Sequence, residues 1–159
     1  MEARDRCTSA AAYAALATLP PSMVLAVSNL GSPILAYTGH RVLAGPYHRN
    51  AAGNLMVLDA MMGDEAAARA VVRRAHVGYV AHCPGDGEAT MLAEWAPGGF
   101  IDRLRNGAVP AWLEPVAQDV FLPRHERPWG RASYAVRFLR HAGAVEAVLV
   151  SADRLKDIR

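Results

Sequence analysis

The chain has 159 residues, 52% of them apolar and 20% charged, which suits one ordinary domain with its own core and excludes a disordered segment. Seventeen lysines and arginines against fifteen acidic residues leave +2, too small a surplus to imply a nucleic-acid partner, although every cation except Lys156 is arginine. The longest apolar run, residues 10–19, stops at Pro20-Pro21, short of the ~20 residues that cross a membrane, and the mixed charges before it (Glu2, Arg4, Asp5) do not make a signal peptide.

Thr8 or Ser9 followed by an alanine-rich segment predicts an N-capped helix to about Thr18. The continuous apolar run 23–27 reads as a strand covered on both faces, and Ser28-Asn29-Leu30-Gly31 as the turn after it. Ser32-Pro33 has the form of an N-cap and first helical residue for a short helix to Tyr37. A second strand at 41–45 is followed by the loop Pro46 to Asn50. A helical pattern then runs to a terminating Gly63, and Asp64 opens an amphipathic helix to about Ala75. The apolar run 77–83 is a third strand, with turn residues 84–88 after it, and short helices follow at about 88–95 and 99–106. Residues 107–116 read as a turn-rich passage and 122–131 as a mobile loop or a long hairpin tip. Residues 133–139 and 144–150 alternate like a hairpin joined through His141-Ala142-Gly143.

Strands separated by helices predict one α/β domain over 1–159, three-layered, with a mainly parallel Rossmann-like or flavodoxin-like sheet and a C-terminal antiparallel hairpin. Ligands of such sheets bind beyond the carboxyl ends of the strands, which singles out loops 28–33, 45–50 and 83–88. The second is the richest in chemistry, because Tyr47, His48, Arg49 and Asn50 follow one another and an arginine with a histidine can hold a phosphate or carboxylate. The same residues also suit a purely local task, His48 and Asn50 capping the next helix while Arg49 points to water. Asn29 in the first loop is a further ligand-binding candidate.

Neither the G-x-G-x-x-G nor the P-loop spacing occurs, so no nucleotide cofactor is expected. The six histidines fall in no zinc pattern, and no serine or cysteine sits in a nucleophile elbow, so neither a metal nor a catalytic residue is assigned. A small hydrolase built on His48 with Asp86 needs a pocket joining the second and third loops. Trp112 reads as the edge of a small core, Trp129 as an exposed contact. Cys7 and Cys83 lie at the ends of elements, where they are either two buried small hydrophobes or a pair able to meet.

Three stretches, 38–50 (TGHRVLAGPYHRN), 77–84 (VGYVAHCP) and 103–116 (RLRNGAVPAWLEPV), resemble the C-terminal soluble domain of polytopic proteobacterial membrane proteins of the GT-C glycosyltransferase type. Cys7, Leu30-Gly31, His40, Tyr47 to Asn50 and Tyr79 to Pro84 match the family's pattern, and the resemblance covers residues 7–138. A more distant likeness is to the soluble domain of oligosaccharyltransferase catalytic subunits, whose W-W-D-Y-G signature is here replaced by Ser28-Asn29-Leu30-Gly31. The resemblance implies a periplasmic accessory domain, non-catalytic alone, whose membrane-embedded half lies outside this chain, so that residue 1 is a cropped beginning. It implies as partners that membrane half and a lipid-phosphate-linked sugar or glycan acceptor, with His40 joining Tyr47 to Asn50 as ligand-binding residues. An oxidising periplasm would also favour a Cys7 to Cys83 disulfide. The rival expectation is a free-standing α/β module that binds a small ligand.

Overall fold

The computed structural model describes residues 7–117, 120–123, 134–141 and 144–151. A 3-10 turn, Ala10–Tyr13, runs into α1 (Ala14–Ala17), burying Tyr13 and Leu16 and leaving alanines outside. After the two prolines come β1 (Met23–Leu25), a 3-10 turn Ser28–Leu30, α2 (Gly31–Tyr37) and β2 (Arg41–Val42). α2 begins two residues before the Pro33 expected at its first position. Pro33 lies within the first turn, where its missing N–H costs no intrahelical bond.

α3 (Ala51–Met62) and α4 (Glu65–Arg74) lead to β3 (Val77–Ala81). Asp64 caps α4 by accepting from the Ala67 N–H at 2.8 Å. Gly63 separates the two helices because a Cβ there would lie 2.4 Å from the Asp59 carbonyl oxygen. α5 (Gly87–Trp95) and α6 (Phe100–Arg105) come next, then β4 (Leu113–Ala117) and β5 (Val120–Pro123).

The fold is mixed α/β, with an open five-stranded sheet in the order β2-β1-β3-β5-β4. β1 pairs in parallel with both β2 and β3, while β5 pairs antiparallel with β3 and with β4. Every residue of the central strand β3 is buried, and the core gathers small aliphatics around Tyr79, Phe100 and Met61. Trp112 closes one side of it, 7% exposed and stacked on Phe100 at 6.0 Å.

The antiparallel β4–β5 hairpin replaces the end of the turn-rich passage expected at 107–116, and β5 takes in the first two residues of the segment 122–131, expected as a loop or a hairpin tip. β4 is an edge strand, and Pro115, which would break a central strand, is accommodated there. β6 (Tyr134–His141) and β7 (Ala144–Ser151) form the expected C-terminal antiparallel hairpin, a separate two-stranded sheet. Trp129 and the turn residues Ala142 and Gly143 lie outside the described residues.

Candidate functional site: the rim at the ends of three parallel strands

Because β2, β1 and β3 are parallel neighbours, the chain leaves all three on the same edge of the sheet, and the loops follow the strand order. Loop 26–30 is central, with loop 43–50 on the β2 side and loop 82–86 on the β3 side.

The β2 side is built on close backbone approach. A Cβ on Gly31 would fall 2.3 Å from the Ala44 carbonyl oxygen, and one on Gly53 would fall 2.1 Å from that of Leu43, so both helix starts sit directly on the strand exit. Asn50 donates from Nδ2 to the Leu43 carbonyl at 2.9 Å and to Asn54 Oδ1 at 3.1 Å, while Asn54 Oδ1 also accepts from the Gly45 N–H at 3.1 Å. The Asn50 N–H closes a turn on the Tyr47 carbonyl at 3.0 Å. On this fixed backbone Tyr47 is 48% exposed, and His48 and Arg49 are exposed as well. The Tyr47 hydroxyl lies 3.1 Å from Ser32 Oγ, which ties the loop to α2. Asn50 precedes α3 but its side chain makes no cap bond to that helix and satisfies loop backbone instead, while His48 and Arg49 are exposed, Arg49 as the local reading expects.

The β3 side is closed on itself. The Glu88 carboxylate accepts from the Ser28 hydroxyl at 2.8 Å and from the Asn29 N–H at 2.7 Å, a charge-assisted cap on the turn after β1. Buried Asp86 caps α5 through the Ala89 N–H at 2.9 Å and accepts from Asn29 Nδ2 at 3.3 Å. The Cys7–Cys83 disulfide, with its Cα atoms 5.9 Å apart, fastens the N-terminal segment beside these groups. Tyr13 donates from its hydroxyl to the Cys7 carbonyl, and burial, with Asp86 and Tyr37 nearby, pushes its pKa up to about 12. A cleft of about 670 Å³ opens here, lined by Cys7, Thr8, Asn29, Asp86, Glu88 and Met91 among others. It lies between the ends of β1 and β3, the point in this open sheet where the chain switches from one side of β1 to the other. Thr8 and Met91 carry no sequence signal for this place, because it takes the disulfide to bring Thr8 there. A second, largely apolar cleft of about 440 Å³ lies along α1 and the end of β3, lined by Leu16, Ala81, His82 and Val120 among others.

The six expected binding residues therefore separate into three settings. Tyr47, His48, Arg49 and Asn50 stay together at the β2 end. Asn29 is exposed at the β3 end, held by Asp86 and Glu88. His40 is elsewhere, 4% exposed inside the fold. Its Nε2–H donates to the Leu16 carbonyl at 2.7 Å, its Nδ1 accepts from the Ser22 N–H at 3.1 Å, and its ring meets Tyr79 edge-on at 5.2 Å. Burial lowers the His40 pKa, opposed in part by the bond to Leu16. With both nitrogens engaged it joins α1 to β1 and has no atom left for a ligand. The pairing of His48 with Asp86 meets a similar obstacle, since β1 stands between their strands and Asp86 is engaged as a cap.

Among the described residues no group of three histidine, cysteine or acidic side chains could hold a metal, and no helix is long and apolar enough to cross a membrane. No family model, curated protein or solved structure matches this chain.

Proposed function

We propose that this chain is an accessory binding domain, periplasmic and part of a membrane glycosyltransferase-like protein, which holds an anionic group of the donor or acceptor at Tyr47, His48 and Arg49 and catalyses nothing alone. In this reading the helices cover both faces of the sheet in the flavodoxin-like manner. The observation that carries it is the β2 end of the rim, where three consecutive side chains able to bind a phosphate stand in solvent on a backbone fixed by Gly31, Gly53, Asn50 and Asn54. The disulfide supports an oxidising compartment. The motif resemblance at 38–50, 77–84 and 103–116 supports the family.

Calorimetry with inorganic pyrophosphate at low ionic strength tests the site. The expected result is measurable binding that weakens about tenfold in Arg49→Ala, the size of one charge-assisted contact, with unchanged melting temperature. Undiminished binding by Arg49→Ala, or no binding by the wild type, would overturn it, as would turnover of a sugar phosphate by this chain alone.

The cleft between β1 and β3 favours a second reading, a free-standing module for a small ligand. Its carboxylates would select a cationic or polyhydroxylated molecule and repel pyrophosphate.

A further inference from the structure

Apart from Asn54 and Asp59 every residue of α3 is apolar or glycine, on its exposed as well as its buried face, which is unusual for a helix at a surface. Gly53, Val57, Ala60 and Met61 face the core, and the opposite side consists of Ala51, Ala52, Leu55, Leu58 and Asp59, all exposed. Leu55 is 60% exposed and Leu58 36%. At helical spacing Ala51, Leu55 and Leu58 form one stripe. Its ends carry opposite charges: Arg49, just ahead of the helix N-terminus, and Asp59 near its C-terminal end. Among the described residues neither enters an ion pair.

A stripe that is cationic at its start, anionic at its end and apolar between is complementary to itself when reversed. We infer that α3 is a homodimerisation helix, pairing antiparallel with α3 of a second copy about a two-fold axis near Asn54 and Leu55. In that register Leu58 lies over the partner's Ala51, the two Leu55 side chains meet, and Asp59 reaches the partner's Arg49 and the positive end of its helix. The small Ala51 and Ala52 leave room for the helices to approach to ~8–10 Å. A helix of 12 residues spans about 18 Å, so the contact is small and the dimer weak, with dissociation in the range of roughly tens to hundreds of micromolar. Asp59 would occupy on Arg49 the place proposed above for an anion, so the dimer is measured without added phosphate; the inference itself does not depend on that function.

The test is sedimentation equilibrium of the full chain in low-salt buffer, from micromolar to about millimolar concentration, with circular dichroism confirming that each variant folds. The wild type is expected to dimerise with rising concentration and Leu55→Asp to stay monomeric. Arg49→Asp and Asp59→Arg are each expected to weaken association about tenfold or more, and the doubly reversed chain to recover it, because the swap restores the same pair. A wild type monomeric throughout, a Leu55→Asp chain that still dimerises, or a double reversal no better than its parents would overturn the inference. The double reversal also separates this contact from the anion site, since it rescues association without restoring a cation at position 49.

Discussion

The two ends of the rim use similar residues for opposite ends. At the β3 end Ser28, Asn29, Asp86 and Glu88 bond to one another and to helix N-termini, so their polarity is largely consumed in holding the loops. At the β2 end the loop is held by glycines and two asparagines, leaving Tyr47, His48 and Arg49 exposed. Chemically rich loops therefore differ in what they offer, and the distinction lies in which atoms the fold has already engaged.

If the β2 end rests on backbone approach, Gly53→Ala should be the most damaging change. Its methyl would meet the Leu43 carbonyl at 2.1 Å, a backbone atom that cannot step aside, so α3 must shift. A loss of about 3 kcal/mol or more is expected, a fall of roughly 6–12 °C in melting temperature. A smaller loss follows from opening the β3 end at its covalent tie. The paired Cys7→Ala and Cys83→Ala changes should cost about 2–4 kcal/mol in denaturant unfolding, the typical worth of a native disulfide.

His40 gives a pH-dependent effect that belongs to neither end. Its folded pKa lies below the ordinary 6.5, so as pH falls the unfolded chain takes up the proton first. Its contribution is complete above about pH 6.5 and is lost as pH drops through the lower folded value. Protonation would also turn an N–H of the ring toward the Ser22 N–H. Proton NMR of the His40 ring, followed from pH 8 to 4, should show titration below that of an exposed histidine, and the loss of stability toward acid should lessen in His40→Gln. The smallest effect is expected at the open end, where His48→Ala and Arg49→Ala should each change stability by no more than about 0.5 kcal/mol. A large loss there would erase the contrast between the two ends.

Much of this was legible because hydrophobic runs and turn residues report burial and chain reversal. They do not report pairing. Val24 to Val27 and Leu43 to Gly45 are buried as expected of strands, yet the strands end at Leu25 and Val42, so the chain leaves the sheet while still buried. β4 escaped detection because Pro110 and Pro115 read as breakers, and only the strand's place at the edge makes Pro115 harmless. His40 looked like its neighbours in the motif, and its engagement with Leu16 and Ser22, 24 and 18 residues away, leaves no local signature. Asn54 carries one local signal of its role, its place one helical turn after Asn50.

The most direct test of an open β2 end is an amide NMR titration of the full chain with inorganic pyrophosphate. Shift changes confined to residues 45–50 and the start of α2, and needing about tenfold more pyrophosphate in Arg49→Ala, are the predicted result. Changes centred on Asn29, Gly87 and Met91, or none at all, would contradict it.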